Sequence, residues 1–234
     1  MTDRRIDTSL YDDYAQWKDW SASSFMEPSS DETAAYDAEI SAYDMRGKSV
    51  LDIGFGNGGF LAYAKSRGVA RLAGSETQLP LCDRARDCDV DLVDVDFARP
   101  PKNDPQFDLI TAWDVAEHLE RPLLDGLFAT VSSLLKDGGI FIARFPNGQS
   151  PLGRIHQHGD PTHLSILSAP IMAQLAAKHP LEVVRSGNPR LPSGAKRRLR
   201  RRIQLGYERA LQLLYGTDAP LAPNTVIEYR RRER

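Results

Sequence analysis

The segment VLDIGFGNGGF, residues 50–60, decides the fold. It opens in a short apolar run, Ser49–Ile53, with the length and character of a buried strand, and passes directly into glycines. Glycines at a strand end let the chain turn sharply into a helix and let a ligand approach the backbone. Helical spacing follows at once, with Phe60, Leu61 and Ala64 on one side and Gly68 as a C-cap. Strand, glycine turn and helix together form the opening unit of an α/β domain.

Working outward, Ser30 or Asp31 is placed to cap a helix over 32–45, which Gly47 ends. Strands are expected at 70–75, 90–95 and 107–113. A helix over 121–136, a turn at Asp137-Gly138-Gly139 and a strand at 140–145 follow. Residues 146–166 read as a loop rich in Gly, Pro and His. Beyond them lie a helix at 168–178, a strand at 181–185, a basic amphipathic helix at 196–216 and a last strand at 225–230. This alternation predicts a Rossmann-like, seven-stranded, mostly parallel sheet flanked by helices. We expect one domain over 1–234. Its parts are an N-terminal cap or lid (1–46), a core (47–146), a loop and basic helix on the substrate side (147–222), and a last strand and tail (223–234).

The chain has 234 residues, 41% hydrophobic and 26% charged, as in ordinary globular proteins. No apolar run approaches the roughly 18 residues needed to span a bilayer, and the N-terminus lacks a secretory apolar stretch. A cytoplasmic location is therefore expected. Cys82 and Cys88 read as free thiols. The net charge of −2 conceals an acidic first half and an arginine-rich C-terminal stretch.

By themselves the glycines are ambiguous. They suit a plain turn, and Gly54, Gly56 and Gly59 also satisfy the G-x-G-x-x-G of NAD(P) enzymes. Asp52, two positions before the first glycine, separates these readings. VLDIGFGNGGF resembles motif I of class I S-adenosylmethionine (SAM)-dependent methyltransferases, with Phe55 where that family often has a small residue or Cys. The resemblance continues through VDVDFARPP (93–101), FDLITAWDVAEHLERP (107–122) and LLKDGGIFIARFPN (134–147), covering 48–146. It implies SAM as cofactor. Asp52, Gly54, Gly56, Asn57 and Gly58 would lie around the methionine part, with Glu76 at the ribose hydroxyls. Asp96 (with Asp94 as the alternative) and Phe97 would lie at adenine, and Trp113 near the sulfonium. Trp17 or Trp20 would fold over SAM as a lid.

Catalysis by positioning and a general base would use His163 or His118, since histidine is the natural base near neutral pH. His163, in DPTHLSILS, resembles a segment of sugar and lipid-linked glycan methyltransferases, whereas His156 and His158 read as loop residues. Asp114-x-x-Glu117-His118 also resembles the E-x-x-E-H metal ligands of small-RNA 2′-O-methyltransferases and some ubiquinone-pathway O-methyltransferases. The shorter Asp shortens the reach, and no metal is expected. The expected activity is O-methylation of a hydroxyl or phosphate on a sugar, lipid-linked glycan or other small molecule. The alternatives are a catalytically silent SAM-binding protein, an RNA 2′-O-methyltransferase or an NAD(P) oxidoreductase. The basic helix, through 196–214, is either a solvated face or a peripheral membrane contact. Nucleic acid is disfavoured by the acidic overall balance, and the sequence is silent on oligomeric state.

Overall fold

The computed structural model describes residues 17, 18, 20, 24–102, 104, 106–190, 192 and 194–233. Helix α1 (Ser30–Ile40) begins with a reciprocal capping box: the Ser29 hydroxyl accepts the Glu32 amide, and the Glu32 carboxylate accepts the Ser29 amide. Strand β1 (Ser49–Ile53) leads into α2 (Gly59–Ser66), and β2 (Arg71–Ser75) into α3 (Leu79–Asp87). A two-residue β3 (Asp91–Leu92) and β4 (Phe107–Trp113) follow, then a 3₁₀ turn (Ala116–His118) and α4 (Arg121–Leu134). The second half holds β5 (Leu135–Pro146), α5 (Gly153–Gly159), α6 (Ala169–Ala176), β6 (Leu181–Gly187), α7 (Ala195–Tyr215) and β7 (Asn224–Arg231).

The seven strands form one sheet in the order β3-β2-β1-β4-β5-β7-β6. Strands β1 to β5 pair in parallel, and β7 lies antiparallel between β5 and β6. The order reverses at β1 and β4, so the crevice at their carboxyl ends is where such sheets bind ligands. Alternate residues feed two separate cores. Leu51, Ile110, Phe141 and Ala143 point to one side with α4 and α6; Val50, Leu109 and Ile142 point to the other with α1, α2 and α3. Burial on both faces explains the nearly unbroken apolar runs in β1 and β4. No described helix is long and apolar enough to cross a membrane.

Several expected boundaries shift, each for a local reason. Helix α1 ends at Ile40, where Tyr43 and Asp44 turn the chain towards β1. Helix α3 was not expected, because LPLCDRARD shows only a short buried stripe of Leu81, Cys82 and Ala85. The third strand shrinks to two residues. The Asp137-Gly138-Gly139 turn lies within β5, where the pairing with β4 shifts register between Phe107 and Leu109. The 146–166 loop contains α5.

Two glycines define how tightly the helices fit. A Cβ on Gly126 of α4 would lie 1.7 Å from the Phe97 carbonyl oxygen, whereas one on Gly206 of α7 would meet nothing within 4 Å. Gly126→Ala should therefore destabilise by about 1–3 kcal/mol or more through overpacking. Gly206→Ala should stabilise by about 0.5–1 kcal/mol through a smaller entropy loss. Urea denaturation of both variants checks the opposite signs.

Candidate active site

The glycine turn after β1 is held by its neighbours as well as by its own backbone. Gly54, Gly56 and Gly58 adopt φ of 67°, 52° and 76°, the left-handed region that disfavours any side chain. Trp20 lies over Gly56, 2.7 Å from where a Cβ would stand, and Asn57 donates to the Ser24 carbonyl at 2.7 Å. Trp20, and not Trp17, is thus the N-terminal tryptophan on the glycines. The rest of residues 1–23, apart from Trp17 and Lys18, lies outside the described residues.

Asp52 is 2% exposed, and one carboxylate oxygen accepts the Thr111 hydroxyl at 2.7 Å. Burial pushes its carboxyl up to about 8; the Thr111 hydrogen bond opposes this, and the nearby Glu76 adds to it. Glu76, at the end of β2, accepts the amides of Gly56 at 3.0 Å and Thr77 at 2.7 Å. Asp96 is exposed and accepts the Ala98 amide at 2.8 Å, while Asp94 is also exposed. Phe97 is half-buried and packs against the α4-side core. Trp113 is buried against Tyr36 and Phe60 with its Nε1 lacking a partner.

A cavity of about 270 Å³ opens at the carboxyl ends of β4 and β5, lined in part by Asp114, Glu117, His118, Asp160 and His163. A larger cavity, about 470 Å³, lies around Asp37, Tyr43, Met45 and Gly68, at the opposite ends of the strands and away from these groups. The two histidines meet edge to face, with ring centroids 4.7 Å apart. His118 Nδ1 lies 2.9 Å from the Thr162 hydroxyl and 3.2 Å from the Thr162 carbonyl. The hydroxyl itself donates to Asp160 at 2.5 Å, so Nδ1 carries the proton, and the lone pair is on Nε2. His163 Nε2 stands 3.7 Å from Asp160 and 3.9 Å from Glu117. Burial lowers the pKa of both rings, that of His118 to about 4, so both are neutral at pH 7. Asp160 is ionised: burial opposes this, but the Thr162 hydroxyl and amide and the Lys18 ammonium bring its pKa down to about 2.

Glu117 is fully buried, and neither carboxylate oxygen has a hydrogen-bond partner. Desolvation, with the Asp114 charge adding to it, holds its carboxyl well above the usual carboxylate range. Glu117, His118 and His163 offer ligand atoms within 4.8 Å of one another, a donor set able to hold a divalent cation. The Glu117 carbonyl accepts the Leu164 and Ser165 amides, which joins the 3₁₀ turn to the His163 loop. His156 also lines the cavity.

Two contributors, Arg144 and Thr162, were missed in the sequence. Arg144 holds Asp114 through both carboxylate oxygens and covers the Trp113 ring at 5.4 Å; its only signal was a cation inside the apolar run of β5. Thr162 sets the His118 tautomer. Asp114 takes φ of 57°, uncommon for a non-glycine residue and characteristic of functional turns.

The family described as a methyltransferase domain matches residues 31–186, more than half of the chain. Among solved structures, a SAM-dependent methyltransferase from Archaeoglobus fulgidus is similar with a TM-score of 0.63 at 18% identity, covering 93% of this chain and 99% of its own. A SAM-dependent methyltransferase from Mesorhizobium loti gives 0.58 at 17%, covering 84% and 98%. Geranyl diphosphate C-methyltransferase from Streptomyces coelicolor, solved with Mg²⁺, geranyl diphosphate and S-adenosyl-L-homocysteine, gives 0.59 at 16%, covering 86% and 79%. At these identities the structures speak to the fold alone, and none of the curated proteins matches in sequence. With the family match spanning the glycine turn, Asp52 and both histidines, the chain belongs to the SAM-dependent methyltransferases.

Proposed function

We propose that this enzyme methylates a hydroxyl or phosphate oxygen of a sugar, a lipid-linked glycan or another small acceptor. The observation that carries this is the neutral His163 beside the ionised Asp160 in a cavity they share with Asp114, Glu117 and His118. Asp160 stabilises the imidazolium formed when His163 takes the acceptor proton, and His118, fixed by Thr162, packs on the ring. Residues 147–222, which supply His163 and α7, carry acceptor recognition.

Bound SAM supplies an electrophilic methyl group. The residues present fit it: Asp52 is a buried acid whose ionisation calls for a cation such as the SAM ammonium, and Trp113 has an unpartnered buried donor. In this scheme Gly54, Gly56, Asn57 and Gly58 hold the methionine part, and Glu76 exchanges its backbone amides for ribose hydroxyls. Asp96 and Phe97 border adenine.

A second reading is favoured by the unpartnered Glu117 oxygens. A cation held by Glu117, His118 and His163 would polarise the acceptor oxygen in place of the base. One substitution separates the two. If His163 is the base, Glu117→Gln keeps turnover within several-fold, because the carboxamide keeps the size of a group that this scheme gives no chemical role; if a cation is held there, activity collapses.

Calorimetry with SAM, S-adenosylhomocysteine and NAD should show binding of the two adenosyl ligands only. Gly56→Arg, which forces a side chain into Trp20, should abolish it. Binding of NAD alone would contradict this scheme. With a sugar acceptor in hand, His163→Ala should lower kcat by about 10²–10⁴-fold, with SAM affinity retained. Such a loss without any change in the pH profile would assign His163 a packing role only.

Asp52 makes a prediction about stability. Its folded pKa, about 8, lies above the ordinary 3.8, so the folded state holds the proton more tightly. This contribution is complete below pH 3.8 and is lost as the pH rises through 8. The ligand-free protein should therefore lose Tm as the pH rises from about 4 to about 8 and level off above that, and Asp52→Asn should remove that part of the slope.

A further inference from the structure

Helix α7 is attached along one side only. Among its described side chains Glu208 alone is buried; it accepts the Asn188 side-chain amide at 2.9 Å and the Leu221 amide at 2.7 Å, and Gln212 donates to the Ala219 carbonyl. With about 100° of rotation per residue, Arg201, Leu205, Glu208 and Gln212 fall on one arc. Leu199, Ile203, Tyr207 and Leu214 fall within about 80° on the opposite arc, and Leu213 stands beside them. These five side chains are between 61% and 75% exposed. Such a continuous apolar stripe on a one-sided helix is not a solvated face.

The charge around the stripe says what covers it. Arg200 borders it on one side; Arg198, Arg202 and Arg209 border it on the other, and these four are exposed, whereas Arg201 is half-buried. Glu208 is the only acid between 195 and 215, and it faces the protein body. The outward surface is thus apolar along its centre, cationic along its margins and free of carboxylates. Long arginine stems can lie beside the stripe with their guanidinium groups raised to phosphate level. Protein partners with acidic rims would be read at discrete positions, whereas a stripe running the length of a 21-residue helix matches a plane.

We infer that α7 docks the enzyme in plane on an anionic lipid surface. The acceptor cavity shares this side of the molecule. Segment 220–222, which follows α7, accepts hydrogen bonds from Asn147 and Ser150, and these residues lead into α5. Leu152 and Ile155 are exposed there, and Ile155 also lines the cavity. The helix therefore brings an apolar cavity rim to the lipid boundary, which suits an acceptor whose tail stays in the bilayer. The docking itself needs neither turnover nor any particular acceptor.

The test is co-sedimentation of the full chain, without SAM, with vesicles of phosphatidylcholine alone or containing about one-third phosphatidylglycerol. The expected result is binding only to the anionic vesicles, weakening as salt is raised. Arg200→Gln, Arg202→Gln and Arg209→Gln together should weaken it on the order of 100-fold, at roughly five-fold for each charge lost. Leu213→Ser with Leu214→Ser should abolish insertion while retaining much of the salt-sensitive attraction. Circular dichroism and SAM calorimetry serve as fold controls for both variants. No binding to anionic vesicles, binding indifferent to lipid charge, or binding unchanged in both variants would overturn the inference. So would concentration-dependent self-association that the leucine variant dissolves, since the stripe would then be the contact between two copies.

Discussion

One steric fit ties together the two turns that border the candidate site: Val115 occupies the space above Gly54. A Cβ at Gly54 would stand 2.6 Å from the Val115 methyl, and the glycine already has φ of 67°. The turn after β1 and the segment after β4 are therefore interlocked, and neither can carry bulk without moving the other. Val115 also leads into the 3₁₀ turn, so this contact sets the height at which Asp114, Glu117 and His118 stand relative to the glycine loop. The parallel pairing of β1 with β4 brings the two turns together, and the strand-order reversal leaves the crevice between them open.

Burial then governs the electrostatics. The crevice sits over a sheet covered on both sides, so its acids and histidines are drawn out of water and away from their charged forms. Asp52, Glu117, His118 and His163 all shift in the direction of neutrality. Asp160 is the exception because three donors converge on it, and a fixed anion beside two neutral imidazoles gives the cavity its polarity. A charge brought in by a ligand thus meets groups that can still change protonation state.

Most of the fold was legible because its signals are local. β1 and β4 were readable to the residue, since strands buried on both faces are apolar runs with sharp ends. The glycine turn and the acid before it announced the cofactor class. Whatever depends on tertiary contact was not legible. Helix α3 is too short and too one-sided to show a period. Helix α5 is stabilised by its setting over the cavity and has no cap signal. At the site, the histidine cluster could be listed by composition, but the Thr162 and Asp160 contacts that set tautomer and charge depend on a loop folding back by over forty residues onto His118. Arg144 stood inside an apolar strand as an anomaly, and its partner Asp114 was read only as a ligand pattern.

The antiparallel β7 explains why the stretch that carries His163 is built into the same sheet as the glycine turn. Because β7 lies between β5 and β6, the chain leaves the sheet after β5, builds α5 and α6, lays down β6 as the edge strand, leaves again through α7 and returns as β7 between the two. The return is secured by Tyr43, Arg185 and Arg190 converging on the buried Glu228 of β7, with Arg185 also holding Glu39 of α1. Removing one partner from such a buried group leaves an uncompensated charge, so the network resists partial opening. Within the stretch between β5 and β7, Arg185 and Arg190 belong to that network, while segment 218–222 ties α7 to the start of α5, through Glu208 and Gln212 on one side and Asn147 and Ser150 on the other. An α7 fastened through Glu208 and Gln212 to Asn188, Ala219 and Leu221 presents its apolar stripe outward while its own bonds go to connecting segments and not to the strands.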